Sequence, residues 1–363
     1  MVRFFPDKLK EYVCKILQNV GLSQEDSKVV ADSLVGANLR GVDSHGVTRL
    51  PIYVKRLKLG VVNPKPNVKI LEESDATLLI DGDNGMGQIV GKKAIELGLE
   101  KARKNGAVFI GVKHSNHFGT GAFFVQMGVK KDMITYAMSN APSTMAPWGG
   151  IKPYIGTNPF AFGVPAGKYN PIILDMATSV VARGKIITAA REGKEIPLGW
   201  AIDKEGKPTT DAKAALDGSV LPFGGPKGYA ISLMIDIMSG VLTGAGFGPY
   251  VNNIYGDFDK PQNVGHFFQL IDISRFMPVE KFKQRVDQMI EEIKSSPKAH
   301  GVDEIYLPGE IEFNNEKKRR VEGIFLTKEV YEDIKAVGEE VGVNIEEYLY
   351  VDKSIGKNVV PDS

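Results

Sequence analysis

The sequence predicts an α/β protein, and three observations carry that expectation. Ala107-Val108-Phe109-Ile110-Gly111-Val112 is an unbroken apolar run of strand length, the pattern of a strand covered on both faces. Helical spacing over residues 91–104 precedes it, and strand-like runs at 133–138, 160–164 and 172–174 follow, separated by segments dense in Gly, Pro, Asn and Thr. With 363 residues, 43% of them hydrophobic, the chain can bury a large core and is long enough for two or three domains.

Residues 7–20 form an amphipathic helix, with Leu9, Tyr12, Val13, Ile16, Leu17 and Val20 on one face and Gly21 as the stop. Ser23, with Asp26 three residues on, is placed as the N-cap of a second helix through Val29, Val30, Leu34 and Ala37. Pro64 and Pro66 punctuate the chain before Thr77-Leu78-Leu79-Ile80-Asp81-Gly82, which reads as a strand entering a turn. Residues 228–242, rich in Ile, Leu and Met, read as a buried helix; 279–293 reads as an amphipathic helix ending near Pro297, and 328–341 as a final helix. The sheet-bearing part is therefore 75–255. Residues 1–74 are the N-terminal helical part of a discontinuous domain, and 256–363 pack back on those helices.

Lys and Arg (45) nearly balance Asp and Glu (44) and are spread along the chain, so no electrostatic footprint for nucleic acid exists. Lys317-Lys318-Arg319-Arg320, the one dense basic run, reads as a solvated face. The single cysteine, Cys14, falls on the first helix among apolar residues, and no disulfide can form within one chain. Residues 1–10 carry charges and Pro6 where a signal peptide needs an apolar core, and no window has the length of a membrane span, so a cytoplasmic location without a membrane partner is expected.

Two stretches hold three of the five histidines: Asp43-Ser44-His45-Gly46 with Arg49, and His114-Ser115-Asn116-His117-Phe118-Gly119. Histidine titrates near neutrality and can give a proton to a developing alkoxide. If a helix continues through the first stretch, His45 and Arg49 share a face, and the planar fork of an arginine matches a carboxylate bidentately. A proton donor beside a carboxylate clamp is what reduction of a 2-oxo acid requires. The same residues also read as a helix terminus with a capping Asp or Ser and a solvated Arg. The second stretch follows the 107–112 strand directly, where α/β proteins gather ligands. His114 and His117 are three apart, a spacing that on a helix could serve a metal-dependent hydrolase. A third protein ligand is lacking, however: no HExxH pattern occurs, and His266 and His300 stand alone. No metal site is expected.

The G-x-G-x-x-G sign of a Rossmann dinucleotide site is missing. Gly82-Asp83-Asn84-Gly85-Met86-Gly87 follows a strand, yet its spacing is wrong and its acidic residues crowd the phosphate position. Gly149-Gly150, Gly156-Thr157-Asn158-Pro159 and Gly224-Gly225-Pro226-Lys227-Gly228 are better phosphate candidates, since small residues expose backbone N–H groups and Lys227 adds charge at a helix start.

Taken together, Leu39-Arg40-Gly41-Val42-Asp43-Ser44-His45-Gly46, Asn116-His117-Phe118-Gly119, the Gly149-Gly150 and Gly156-Thr157-Asn158-Pro159 turns, Leu174-Asp175-Met176-Ala177-Thr178-Ser179, Gly199-Trp200-Ala201 with Asp203, and Pro226-Lys227-Gly228-Tyr229 resemble one family. It is the malate/L-lactate dehydrogenase family that lacks the Rossmann fold and includes sulfolactate, ureidoglycolate, diketogulonate and cyclic-ketimine reducing members. The resemblance spans residues 7–345. It implies an NAD- or NADP-dependent oxidoreductase acting on a small 2-oxo or 2-hydroxy carboxylate of malate, lactate or sulfolactate type, or on a cyclic imine carboxylate. The fold it implies is a non-Rossmann mixed-sheet NAD(P)-binding domain plus a mainly helical domain formed from both chain ends. It implies a homodimer with the active site near the interface, His45 and His117 as the candidate acid/base, and Arg49 on the substrate carboxylate with Ser44 assisting. Asp175, Met176, Ala177, Thr178, Ser179, Lys227 and Gly228 would lie along the cofactor, with Pro308, Gly309 and Glu310 closing over it. One departure is the short connection between Leu216 and Gly225. Arg183 and Lys185 are candidate partners for the extra phosphate of NADP.

Overall fold

The computed structural model describes residues 2–349, 351–352 and 357–358; the remaining residues of the C-terminal return, 350, 353–356 and 359–363, lie outside the described residues. The chain opens with β1 (Val2–Phe4), α1 (Pro6–Asn19), α2 (Gln24–Leu39) and α3 (Leu50–Lys58). Pro6 starts α1, and the Ser23 side chain caps α2 by accepting from the Asp26 N–H at 3.0 Å, as the sequence predicts.

The sheet elements follow: β2 (Lys69–Glu73), β3 (Thr77–Asp81), α4 (Gly87–Asn105), β4 (Ala107–Ser115), α5 (Gly121–Val129), β5 (Met133–Ser139), β6 (Phe160–Val164) and β7 (Ile172–Met176). A smaller lobe holds α6 (Arg183–Glu192), β8 (Ala201–Ile202), β9 (Pro208–Thr209), α7 (Ala212–Asp217) and β10 (Ser219–Val220). Then come α8 (Pro226–Asp236), which runs on into a π-helical turn Ile237–Val241, β11 (Val264–Asp272), α9 (Val279–Lys294), α10 (Glu310–Glu322), β12 (Ile324–Leu326), α11 (Lys328–Glu340) and the short pair β13 (Val351–Asp352) and β14 (Lys357–Asn358).

Seven strands form one mixed sheet in the order β2-β3-β4-β11-β5-β6-β7, in which β3 and β4 are parallel and the other neighbours antiparallel. The α/β class and the mixed sheet agree with the expectation. The central strand, β11, lies beyond residue 255, in the part of the chain read from sequence as the C-terminal return. Gly265, His266 and Gln269 interrupt its apolar run, which hides it from a periodicity reading.

Two cores follow from this layout. One packs α4 and α5 against the sheet through residues such as Ile95, Phe124, Ile110 and Phe268. The other joins both chain ends, with Leu9, Ile16, Leu34 and Leu50 packed with Ile324, Ile334 and Ile345, while β1 pairs with β12. The helix expected to be buried at 228–242 is not buried along its length in a single chain: Met234 is 63% exposed and Leu242 62%, with Ile237 and Val241 beside them.

His266 explains how a polar residue sits in the middle of the sheet. Its Nδ1 lies 2.9 Å from Ser139 Oγ, its Nε2 lies 2.8 Å from Ser115 Oγ, and Phe118 stacks on its ring at 4.8 Å. Burial holds its pKa down at about 3. An unfolded histidine titrates near 6.5, so between those values the unfolded chain binds more protons and stability falls as pH drops. The urea midpoint is accordingly expected to fall between about pH 6.5 and 5, and less steeply in His266→Gln; equal slopes in the two proteins would refute the assignment.

Candidate active site

The stretch 43–49 is not one helix. It forms two 3-10 turns, Asp43–His45 and Val47–Arg49, separated by Gly46 in an extended conformation. A Cβ on Gly46 would stand 2.2 Å from Asn38 Oδ1, so only glycine lets the turn close against α2. Asn38 fastens both sides of that closure, accepting from the Val47 N–H at 2.8 Å and donating to Asp43 Oδ1 at 2.6 Å. Arg319 on α10 then grips both Asp43 oxygens at 2.7 and 3.0 Å. This corrects the reading of the basic run as merely solvated: Lys317, Lys318 and Arg320 are exposed, while Arg319 is half-buried in a bidentate pair.

With helical spacing gone, hydrogen bonds bring Arg49 back over the turn. Its Nε donates to the Ser44 carbonyl at 2.7 Å, its Nη1 donates to the Tyr255 hydroxyl, and the guanidinium lies 5.7 Å from the centre of the Tyr255 ring. No carboxylate among the described residues pairs with it. Ser44 Oγ lies 3.0 Å from His45 Nδ1.

The His45 and His117 rings stack, 5.6 Å apart with planes at 24°. Residues 72 positions apart in the sequence thus converge, as the resemblance implies. His117 is held from two further sides: its backbone N–H donates to Gln262 Oε1 at 3.0 Å, and its ring Nδ1 lies 2.6 Å from the Tyr53 hydroxyl, which in turn accepts from Gln88 Nε2 at 3.0 Å. Tyr53, Asn116, His117, Ile254 and Gln262 help to enclose a pocket of about 10 Å³, the room of about one water. Buried Arg56 ties down the loop that carries Tyr255, donating to the Asp257 and Lys260 carbonyls at 2.6 and 3.1 Å.

Burial and then the Arg49 charge bring the His45 pKa down to about 4. Burial, Arg49 and His45, in that order, hold His117 well below its ordinary value. Two imidazoles whose protonation is disfavoured therefore face a cation that pairs with no carboxylate among the described residues.

His114 goes elsewhere. It lies one residue before the end of β4 with a left-handed φ of +53°, stays exposed, and places Nδ1 3.1 Å from Asp81 Oδ1. It does not share a helix with His117, and among the described residues no cluster of three His, Cys, Asp or Glu could hold a metal ion. Asn116 is spent on the loop itself, its Nδ2 donating to the Asn84 and Gly85 carbonyls at 3.1 and 2.9 Å. The turn at residues 82–87 is closed rather than open to phosphate: Asp83 Oδ2 accepts from Asn63 Nδ2 and the Asn67 N–H at 2.9 and 2.8 Å.

Most of the residues expected along a dinucleotide lie on or next to β7, one of the two edge strands of the sheet. Asp175 accepts from the Ala122 N–H at 2.8 Å in the first turn of α5, the helix into which the His117 loop leads. The residue keeps exposed surface, yet protein crowds its carboxyl and burial pushes the pKa up to about 6. Met176 ends β7, Ala177 follows, and Thr178 anchors the exit by donating from Oγ1 to the Asn158 carbonyl at 3.1 Å; Ser179 Oγ donates to the Val181 carbonyl at 2.8 Å.

The Pro308 carbonyl accepts from the Ile173 N–H at 3.0 Å, and a Cβ on left-handed Gly309 would stand 2.8 Å from the Ile173 oxygen, so this turn lies flat on the β7 edge. Glu310 turns away, accepting from the Leu307 N–H at 3.0 Å and pairing with Lys294 at 2.5 Å. At the start of α8, Lys227 is exposed and pairs with no acidic side chain among the described residues, and Gly224 and Gly225 both have positive φ. A Cβ on Gly228 would stand 2.1 Å from the Phe223 carbonyl oxygen, so the turn packs tightly there. A helix start with a free cation fits a pyrophosphate. Arg183 donates to the Leu216 carbonyl at 3.0 Å, and Lys185 is exposed.

Sequence reasoning missed Tyr53, Gln88, Tyr255 and Gln262. Tyr53 had a signal, lying four residues beyond Arg49 as Arg49 lies four beyond His45. The others lie far away in sequence, and nothing in their neighbourhood marks them.

The sequence pattern described as malate/L-lactate dehydrogenase matches residues 4–335. The chain is 43% identical to the L-sulfolactate dehydrogenase of Methanocaldococcus jannaschii, over 95% of this chain and 98% of that protein. It is 34% identical to the NAD(+)-dependent ureidoglycolate dehydrogenase of Escherichia coli, over 90% and 93%. Its fold is similar to the solved sulfolactate dehydrogenase structure from M. jannaschii, with a TM-score of 0.90 covering 96% of this chain and 99% of that one. It is similar too to the malate dehydrogenase of Pyrococcus horikoshii, with a TM-score of 0.87, 40% identity and coverages of 94% and 96%.

Proposed function

The chain belongs to the malate/L-lactate dehydrogenase family, and from that premise we propose that it is an NAD(P)-dependent oxidoreductase interconverting a small 2-oxo carboxylate and its 2-hydroxy acid, of malate, lactate or sulfolactate type. The observation that carries this reading is Arg49, a guanidinium without a carboxylate partner among the described residues, beside two stacked neutral imidazoles.

Arg49 receives the substrate carboxylate, with Ser44 and Tyr255 fixing the fork. Neutralising that cation removes one of the causes that hold the histidines down, so the arriving substrate itself raises their affinity for a proton. His117, its Nδ1 occupied by Tyr53, presents Nε2, and we assign it the proton given to the carbonyl oxygen in reduction and taken back in oxidation. His45 lies over the His117 ring and completes the polar wall. The nicotinamide cofactor, when bound, supplies the hydride for the carbonyl carbon or accepts it in the reverse direction. We place that cofactor along Asp175, Met176, Ala177, Thr178 and Ser179, with Lys227 and Gly228 at its phosphates and the Pro308-Gly309-Glu310 turn over it. The open positive helix start at Lys227 and the left-handed glycines before it support that placement.

A homodimer accounts for the uncovered apolar residues Met234, Ile237, Val241 and Leu242 on α8 and its π turn. Leu242→Glu is expected to lower the mass measured by light scattering to that of one chain; an unchanged mass would place the interface elsewhere.

The reading is tested by following loss of reduced-cofactor absorbance with the 2-oxo forms of malate, lactate and sulfolactate and with a cyclic imine carboxylate, using NADH and NADPH separately. Turnover of at least one 2-oxo acid is expected. Oxidation of neither cofactor by any 2-oxo acid would overturn it.

A further inference from the structure

Three buried groups stand in line behind the catalytic ring: the Gln88 amide, the Tyr53 hydroxyl and His117 Nδ1, separated by 3.0 and 2.6 Å. Gln88 is fully buried and Tyr53 nearly so. A phenol has one proton to give, so the direction of each bond fixes the next. With the amide nitrogen toward Tyr53, that nitrogen donates to the phenol oxygen and the phenol donates to Nδ1. A neutral His117 then carries its one proton on Nε2, and Nε2 cannot take a proton from a 2-hydroxy acid.

The other amide end shows that the line is built to run both ways. Gln88 Oε1 is buried without a hydrogen-bond partner. Turned over, it would accept from Tyr53, and Tyr53 would accept from a protonated Nδ1, leaving Nε2 free to hold or lack a proton. Ser33 Oγ, also buried and unpartnered, borders the same space beside Gly119 and the Gln88 amide.

We propose that Tyr53 and Gln88 are positioning residues that select the tautomer of His117: the amide oxygen toward Tyr53 makes Nε2 competent, and the amide nitrogen toward Tyr53 makes it idle. The proposal rests on His117 being the acid/base. In reduction the imidazolium loses its Nε2 proton to the alkoxide oxygen, keeps its Nδ1 proton on the Tyr53 oxygen, and nothing leaves Tyr53; oxidation runs the same transfer backward. Burial raises the Tyr53 pKa, in keeping with a phenol that stays protonated throughout. The other ionisable groups facing His117 are Arg49 and His45 on the 43–49 turns, Arg56 on α3 in the shared pocket, and His266 on β11 beneath.

The test combines ¹⁵N-histidine NMR with pH profiles of kcat. Gln88→Glu, once ionised, supplies an end that can only accept, so above the pH at which that carboxyl loses its proton His117 Nδ1 should shift to the protonated type and the kcat profile should move to higher pH. Tyr53→Phe and Gln88→Met should lower kcat about 10-fold or more with KM within about 3-fold, since ring placement and tautomer are lost while the carboxylate clamp stays. A His117 spectrum and a kcat profile identical to wild type in Gln88→Glu and Tyr53→Phe would overturn the proposal. Full turnover in His117→Gln would instead remove the acid/base reading on which it rests, and the NMR readout, which needs no turnover, separates the two failures.

Discussion

His117→Gln is expected to lower kcat for reduction of the preferred 2-oxo acid by about 10²–10⁴-fold, the span that a placed general acid contributes, while KM changes little. The asymmetry follows from the division of labour around the ring. In the proposed reading Arg49 holds the carboxylate, and its contacts with Ser44 and Tyr255 do not pass through His117. Glutamine keeps a polar group of similar reach but cannot carry a mobile proton near neutrality, so the loss belongs to the chemical step. Single-turnover rates at saturating substrate check it; a variant within about 3-fold of wild type would move the proton donor to His45.

Arg49 provides the second large effect, and two substitutions divide its roles. Arg49→Met removes both fork and charge. Hydrogen bonds to a charged group contribute about 1.5–3 kcal/mol, so kcat/KM should fall about 10–150-fold. Because the Arg49 charge helps to depress both histidines, its removal raises their pKa values. The histidines then stay protonated to higher pH, and the falling limb of the reduction profile for free enzyme moves upward. Arg49→Lys keeps the charge and loses the bidentate fork, so KM should rise while the limb stays in place. Coincident limbs for Met and Lys variants would show that Arg49 does not set the histidine protonation.

Much of this site was legible because its residue types are chemically specific. His45, His117 and Arg49 can be picked out as candidate proton and carboxylate groups before any fold is known, and Asp175 and Lys227 stand in stretches that resemble one family. The strand at Ala107–Ser115 and the capped helix at Gln24–Leu39 were readable because burial on both faces and an N-cap leave local marks. What could not be read depends on distant partners. The 43–49 stretch breaks into two 3-10 turns because Asn38 and Arg319 pull on Asp43 from α2 and α10, and no periodicity records that pull. β11 was hidden because His266 looks polar until Ser115 and Ser139 are known to receive it. Helix 228–242 looked like core because an apolar helix reads alike whether its cover comes from its own chain or from another.

Helix α10 begins on the Gly309 turn against the rim of β7, and one of its later side chains, Arg319, closes on Asp43. Thirteen residues make a rod about 20 Å long. Between those anchors it leans on α2, where the Arg40 guanidinium lies 4.6 Å from the centre of the Phe313 ring. One helix thus spans from the turn where, in the proposed reading, a dinucleotide would rest to the knuckle carrying His45, and ties the two ends of that site to a single element.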